Sequence, residues 1–286
     1  MSKGELYSDA AVLYRSNAQS RAIEEALLRV SIPYRIYGGL RFYERMEIKN
    51  AISYLKIIFN NSDNPAFERS ISNPTRGVGE KTLAKIRAAA LKFNISYIKA
   101  SARLIDEGAI SGRGGAGLRS YLEFVARCKE FIEENALSDL MEEIIKTSGL
   151  HAYHAKEPGE KGKTRIENLE ELVTATKNFE QSIAENKTNK EVAEEYLDVI
   201  SLDSGDRQAS ESDDAAQLMT LHSAKGLEFK LVLMTGLEES LFPHGRSMES
   251  NSQLEEERRL CYVGITRAMQ KLYISYAESR RLHGSD

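Results

Sequence analysis

The stretch Ala10-Ala11-Val12-Leu13-Tyr14, followed by residues 17–30, decides the fold of this chain. The first five residues form an apolar run of strand length, and the second segment repeats apolar side chains at helical spacing. The positions that show this spacing are Ala18, Ile23, Ala26, Leu27 and Val30. The sequence therefore opens with a strand that leads directly into a helix.

The same order is then repeated. Pro33 ends the helix, residues 34–37 predict a second strand, and Gly38-Gly39 turns the chain. An amphipathic helix is predicted over residues 44–59. Strand patterns return near the end of the chain, at residues 217–222, 231–236 and 271–276. Strands that alternate with helices predict an α/β domain with a parallel sheet.

The middle of the chain has the pattern of helices alone. From Pro65 to about Ile200 the apolar spacing is helical, with breaks at residues 73–74, 77, 79, 112–117 and 157–159. We interpret the glycine-rich residues 112–117 as a turn between helices, and the polar residues 201–214 as a linker.

These patterns predict two domains. Residues 1–108 and 213–286 form a discontinuous α/β domain, and residues 109–212 form an all-helical domain inserted into it. An insertion of this kind is entered and left through loops, so the two ends of the chain build one sheet.

The composition is that of a soluble globular protein, with 41% apolar and 29% charged residues. No segment approaches the roughly 20 apolar residues that cross a bilayer, and no secretory signal is present. Cys128 and Cys261 lie far apart without metal-ligand spacing, which argues against a disulfide framework and a zinc site. We expect a cytoplasmic protein with two reduced thiols.

Charge is distributed unevenly along the chain. Residues 109–212 carry 13 basic and 21 acidic side chains, a net of −8, although the whole chain carries only −4. Residues 41–103 carry 12 basic and 5 acidic side chains, a net of +7. A basic cluster of this size suits either a solvated helical surface or contact with phosphates.

Several catalytic motifs are missing from the sequence. No G-x-x-x-x-G-K-[ST] loop, His-Glu-x-x-His, Cys-x-x-Cys or Gly-x-Ser-x-Gly motif is present, so a metalloprotease, a zinc module and a serine hydrolase are not supported. Arg15, after the first strand, and Arg267, at the end of the helical run 254–267, are the notable candidates. Each guanidinium suits either a γ-phosphate or a surface carboxylate.

Three long segments resemble motifs IV, V and VI of the UvrD-type superfamily 1 helicases. They are AVLYRSNAQSR (residues 11–21), LMTLHSAKGLEF (residues 218–229) and EERRLCYVGITRA (residues 256–268). The stretches at residues 34–39, 75–79 and 164–172 resemble the same family. The resemblance covers essentially the whole chain.

The resemblance implies a discontinuous RecA-like domain, called 2A, with a helical 2B domain inserted. ATP would lie between 2A and a first RecA-like domain that supplies the P-loop lysine and the acids that bind Mg²⁺, in sequence expected before Met1. By the resemblance, Tyr14 would stack on adenine, and Arg15 and Arg267 would act as arginine fingers on the γ-phosphate. The turn with Gly226 and Glu228 would contact the ribose or the triphosphate.

DNA contacts are also implied by the resemblance. His222, Ser223 and Lys225 are candidates for contacts to the phosphates or sugars of single-stranded DNA. In the loop Arg76-Gly77-Val78-Gly79, small residues at the start of a helix would let backbone N–H groups approach a phosphate. The same loop also suits an ordinary turn between helices.

The implied activity is that of an ATP-dependent 3′→5′ DNA helicase in repair or replication, in the cytoplasm and associated with the nucleoid. Its partners would be single-stranded DNA, single/double-strand junctions, the N-terminal helicase domains of the same protein and repair proteins. Because family members continue beyond the third motif, we expect the isolated chain to lack the element that parts the duplex. We also expect it not to hydrolyse ATP.

Two alternatives stay open from the sequence. One is a free-standing DNA- or protein-binding module that has lost motor activity. The other is the related subunit of a helicase–nuclease complex, although the nuclease domain with clustered acids that such proteins carry is not found in the sequence.

Overall fold

A computed structural model describes residues 6–183, 187–205 and 213–278. Its contacts divide the chain into two compact units. The sheet unit combines residues 1–44 with residues 203–281, and the helical unit comprises residues 45–202. The sheet unit is therefore built from both ends of the chain.

The sheet unit contains five strands, all paired in parallel. They are β1 (Ala10–Tyr14), β2 (Tyr34–Ile36), β3 (Ala216–Thr220), β4 (Phe229–Met234) and β5 (Ala268–Ile274), in the order β2-β3-β1-β4-β5. This confirms the predicted parallel α/β sheet, with the strand that opens the sequence at its centre.

Apolar side chains alternate between the two faces of the sheet, because successive residues of a strand point to opposite sides. On one face Leu13, Met219 and Val232 pack with Leu260 of the helix α11 (Asn251–Ile265). On the other face Tyr14, Leu218 and Tyr34 pack against α1 (Ser20–Arg29) through side chains that include Ile23 and Leu27.

The close approach of α11 to the sheet depends on Gly264. A Cβ atom at this position would lie 2.5 Å from Leu221 Cδ2 and 2.8 Å from Met234 Cε. A larger residue would push the end of α11 away from the sheet, and Arg267 follows directly after that end.

The helical unit consists of α2 (Met46–Phe59), α3 (Asn64–Ser72), α4 (Glu80–Phe93), α5 (Tyr97–Asp106), α6 (Gly112–Glu134), α7 (Leu137–Thr147), α8 (Leu150–Ala155), α9 (Glu160–Ser182) and α10, which begins at Asn189. Asp63 starts α3 by accepting the N–H of Ala66 at 2.9 Å. Asn94, at φ 51°, ends α4 in the left-handed conformation. Tyr54, Phe67 and Tyr121 are fully buried between the helices.

Two interpretations of loops need correction. Residues 112–117 begin α6 and do not form a turn between helices. Their glycines allow close packing, since a Cβ atom at Gly117 would lie 1.9 Å from the carbonyl oxygen of Arg76. In the predicted linker, residues 201–205 belong to α10, whereas residues 206–212 lie outside the described residues.

The contacts group α2 to α5 with the other helices, whereas the sequence pattern grouped residues up to 108 with the sheet. The assignment of residues 1–108 and 213–286 to domain 2A, and of 109–212 to domain 2B, stays a prediction.

Among the described residues, no helix is long and apolar enough to cross a membrane. The same residues contain no group of three His, Cys, Asp or Glu side chains placed to hold a metal ion.

Candidate functional site

Arg267 lies at the amino edge of the sheet, beside the turn that precedes β4. Its Nη1 donates to the carbonyl oxygen of Leu227 at 2.8 Å, and its Nε donates to that of Val263 at 3.0 Å. Its Nη2 donates to Thr266 Oγ1 at 3.0 Å. The structure thus brings Arg267 to the turn that contains Gly226 and Glu228.

The hydrogen-bond partners of Arg267 are uncharged, so the guanidinium keeps its positive charge. Two carbonyl oxygens and one hydroxyl fix the direction of the guanidinium without cancelling its positive charge. A guanidinium has five N–H donors. The three bonds leave two donors without a partner among the described residues. The half-buried Arg267 is therefore a fixed cation that can still bind an anion.

Gly226 and Glu228 face solvent beside Arg267. Gly226 has φ +89°, and a Cβ atom there would meet no atom within 4 Å. Glycine adopts this conformation at little cost and leaves its backbone open to close approach. The exposed Glu228 makes no hydrogen bond or ion pair with another described residue. The turn thus presents exposed backbone, and a carboxylate that is unpaired among the described residues.

Arg15 lies at the opposite, carboxyl edge of the sheet and is paired with Glu257. Its Nε lies 3.0 and 2.9 Å from the two carboxylate oxygens, and its Nη2 donates to Glu257 Oε1 at 2.7 Å. Glu257 is 5% exposed and also accepts the His244 N–H and the Ser247 hydroxyl, both at 3.3 Å. Arg15 is therefore neutralised by a buried acid that sequence analysis did not identify as its partner.

Burial raises the pKa of Glu257, but the hydrogen bonds and charge of Arg15, with the His244 N–H and the Ser247 hydroxyl, outweigh that effect. The pKa of Glu257 therefore lies below its ordinary value. The carboxylate stays ionised, and the pair holds the end of β1 against α11.

The structure does not bring Arg15 and Arg267 together. In the register, Leu13 lies beside Met234 and Met234 beside Ile274, so Arg15 lies beyond the end of β5 whereas Arg267 precedes its start. At about 3.3 Å per residue, roughly 30 Å separate the two backbone positions. Tyr14 is 0% exposed, inside the core that faces α1, and offers no free ring face for an adenine.

His222, Ser223 and Lys225 lie together in the turn after β3. His222 and Lys225 are exposed, and Lys225 has no ion pair with another described residue. The hydroxyls of Ser223 and Thr220 are 3.0 Å apart, and the Ser223 N–H lies 3.2 Å from the same Thr220 oxygen. The three candidates for single-strand contact therefore form one exposed, ordered turn.

One segment connects the two edges of the sheet. Residues 221–228 leave the carboxyl end of β3 and return to the amino end of β4, on the other side of β1. Its first half carries the exposed His222, and its second half carries the exposed Lys225, Gly226 and Glu228. At its start, Ser223 Oγ lies 3.8 Å from where a Cβ of Gly38 would be, so the Gly38-Gly39 turn flanks it.

In the helical unit, Arg76 is occupied within its own loop. Its Nη1 donates to the carbonyl oxygens of Ser70 and Pro74 at 3.0 Å, and its Nη2 to that of Ser148 at 2.7 Å. The guanidinium also lies 5.4 Å from the ring centres of Tyr54 and Tyr121. Arg76 therefore shapes the loop and is not directed at a phosphate.

The two glycines of this loop, unlike Arg76, are exposed to solvent. Gly77 has φ +73° and packs against Arg113, whereas a Cβ at Gly79 would meet no atom within 4 Å. Gly79 is the exposed N-cap of α4 and provides no side chain to its first N–H groups. Lys81 is exposed in the first turn that follows. The start of α4 is thus open to an anion.

The model of the UvrD-like helicase C-terminal domain matches residues 1–279. The chain belongs to this family. The matched region includes the motifs at residues 218–229 and 256–268. The hydrogen bond from Arg267 to the carbonyl oxygen of Leu227 connects these two motifs.

Similar proteins support the same family assignment. The chain is 48% identical to DNA helicase II of Escherichia coli (strain K12) over 283 residues, which is 99% of this chain and 39% of that protein. It is 50% identical to DNA helicase II of Haemophilus influenzae over 279 residues, 97% of this chain and 38% of the relative. It is 40% identical to ATP-dependent DNA helicase PcrA of Bacillus subtilis, with coverages of 97% and 38%. The chain thus spans about two fifths of the length of these relatives.

Proposed function

We propose that this chain is the C-terminal motor portion of an ATP-dependent DNA helicase that moves 3′→5′ and acts in DNA repair or replication. The observation that carries the proposal is the fixing of Arg267, by uncharged partners, beside the open turn of Gly226 and Glu228. A pre-oriented cation stabilises charge that develops on a phosphoryl group at little cost in reorganisation.

The residues of this edge fit the triphosphate and ribose of a nucleotide. Arg267 acts as an arginine finger, the backbone at Gly226 allows close approach, and Glu228 accepts a hydrogen bond from a sugar hydroxyl. ATP, when bound, supplies the phosphoanhydride whose hydrolysis drives the motion. The P-loop lysine and the Mg²⁺ ligands are assigned to the N-terminal helicase domains of the same protein.

Arg15 and Tyr14 have different roles in this proposal. Arg15 has a structural role, since its guanidinium is bound to the buried Glu257 and lies at the other edge of the sheet. Tyr14 is a core residue that packs β1 against α1. Neither needs to touch the nucleotide for the site around Arg267 to form.

The DNA-binding residues of the proposal lie in two places. His222, Ser223 and Lys225 grip the sugar–phosphate backbone of single-stranded DNA without reading its sequence. At the start of α4, Gly77 and Gly79 expose backbone to a phosphate near the single/double-strand junction, and Arg76 holds their loop in shape. Repair proteins are further partners in this proposal.

Unwinding by a full-length protein that carries this chain tests the proposal. We expect DNA-stimulated ATP hydrolysis and unwinding of a partial duplex with a 3′ tail, but not of one with a 5′ tail. The isolated chain is the control and should show no hydrolysis above background. Hydrolysis by the isolated chain, or a preference for the 5′ tail, would contradict the proposal. DNA binding by a full-length protein without any ATPase would favour the binding module.

A further inference from the structure

Tyr37 is an exposed aromatic residue at the carboxyl edge of the sheet. Its backbone N–H donates to the carbonyl oxygen of Leu218 in β3 at 2.8 Å, one residue beyond the last register pair of β2 with β3. The backbone of Tyr37 is therefore fixed at the end of the sheet. Its side chain is nevertheless 46% exposed, and it has no hydrogen-bond partner and no stacked ring among the described residues.

The turn after β3 lies directly beside Tyr37. Strands β2 and β3 are neighbours in the sheet, and neighbouring strands lie about 4.8 Å apart. The residue that follows Tyr37 is Gly38, and Ser223 Oγ lies 3.8 Å from the position of a Cβ atom there. The same turn carries the exposed His222 and Lys225. An aromatic ring, an imidazole, a hydroxyl and an ammonium group therefore come from two adjacent turns at one edge.

The chemistry of these groups matches the two parts of a nucleotide. A single exposed aromatic side chain is common on protein surfaces, so exposure alone does not assign a role to Tyr37. Its neighbours do, because a nucleotide carries an anionic phosphate and a flat base on one sugar. Lys225 has no ion pair with another described residue and can pair with a phosphate. A ring beside it offers a base the stacking contact by which proteins hold single strands.

We propose that Tyr37 stacks on a base of single-stranded DNA while His222, Ser223 and Lys225 hold the sugar–phosphate backbone. This inference rests on the proposed function and adds contact with a base to a site that otherwise grips only the backbone. Only two side-chain torsions of Tyr37 become fixed on binding, so the entropic cost is small. Every base has a π-face, so the contact is independent of DNA sequence.

The experiment uses a full-length protein that carries this chain and two labelled single strands of equal length. One strand has its bases and the other is abasic, so both have the same phosphates and only one can stack. Fluorescence anisotropy at several salt concentrations gives the affinity and the slope of log K against log salt. Tyr153, 50% exposed in α8 of the helical unit, is the matched control position.

Tyr37→Ala should weaken binding of the strand with bases by about 5- to 150-fold, the range for loss of one stacking ring. The salt slope should stay unchanged, because no phosphate contact is lost. On the abasic strand, the wild-type protein and Tyr37→Ala should bind equally. Tyr37→Phe keeps the ring and should bind like the wild-type protein, as should Tyr153→Ala. Circular dichroism verifies that the variants fold.

Three outcomes would overturn the stacking role and leave the proposed function intact. One is equal binding of the strand with bases by the wild-type protein and Tyr37→Ala. Another is an equal loss on both strands, which would assign Tyr37 to the shape of the turn. The third is a loss in Tyr37→Phe as large as in Tyr37→Ala, which would assign the contact to the hydroxyl. Absence of single-strand binding by the wild-type protein would remove the proposed function itself, and this inference with it.

Discussion

Arg15 and Arg267 are the same residue type at the two edges of one sheet, and they are held in opposite ways. Arg15 forms a bidentate pair with the buried carboxylate of Glu257, whereas Arg267 is held by two carbonyl oxygens and a hydroxyl. The first arrangement consumes the positive charge and stabilises the fold. The second fixes the side chain and preserves its charge for another group. A partner's charge, more than the arginine's position near a strand end, therefore separates a structural role from a binding role.

The largest expected effect is the loss of catalysis on changing Arg267. In a full-length protein that carries this chain, Arg267→Ala should lower DNA-stimulated ATP hydrolysis by about 10³–10⁵ while single-strand binding stays nearly unchanged. Steady-state hydrolysis and fluorescence anisotropy with labelled DNA measure the two properties. Arg15→Ala is the matched variant, and its folded fraction should retain most of the activity. An equal loss in both variants would remove the distinction.

The next largest effect is on stability. Glu257→Ala should lower the free energy of unfolding of the sheet unit by about 3–5 kcal/mol, because it leaves Arg15 without its buried partner. Urea denaturation followed by circular dichroism checks this value. Glu228→Ala is the control, since that carboxylate is exposed and makes no ion pair with a described residue, and it should be nearly neutral. Equal stability of both variants would contradict the structural role of Arg15.

A smaller effect is expected from pH. The pKa of Glu257 is lower in the folded protein than in the unfolded chain, where it is roughly 4.3. Its contribution to stability is therefore complete above that unfolded value and is lost as the pH falls through the folded value. Glu257→Gln should flatten the acid side of a stability profile measured between neutral and acidic pH. A profile that keeps its full acid slope would assign that slope to other carboxylates.

The smallest effect is expected at Lys225. Lys225→Ala should weaken single-stranded DNA binding modestly and reduce the slope of log K against log salt by about 0.7, the value for one lost phosphate contact. Titrations of a full-length protein at several salt concentrations measure the slope. Lys230→Ala is the control, because Lys230 pairs with Asp9 at 3.0 Å. An unchanged slope for Lys225→Ala would remove Lys225 from the DNA contact.

Much of the sheet unit was predictable from local pattern. Apolar runs of strand length gave β1, β3 and β4, and the helical spacing after residue 17 gave α1. The prediction of a turn at residues 112–117 was wrong, because glycine occurs both where the chain turns and where two backbones pack closely. Here the close approach of the Arg76 carbonyl oxygen, which leaves no room for a Cβ atom at Gly117, shows that glycine allows close packing. This approach depends on the tertiary structure and cannot be derived from the local sequence.

The candidate site was predictable in part. The closeness of Arg267 to the turn at residues 226–228 agrees with grouping motifs V and VI in one site. The pairing of Arg15 with Glu257 joins residues 242 positions apart and has no local pattern. The burial of Tyr14 depends on which face of β1 meets α1, and the sequence of one strand does not define that face.

Residues 221–228 have a mechanical consequence. From Thr220, which lies beside Tyr14, to Phe229, two positions before the partner of Ala10, the chain returns roughly 20 Å along the sheet while it also passes β1. The nine steps from Thr220 to Phe229 reach at most roughly 32 Å when fully extended, and turns within the segment shorten that reach. The connection therefore has limited length to spare, and deletion of one of its residues would require the turns within it to open if both strands are to keep their register.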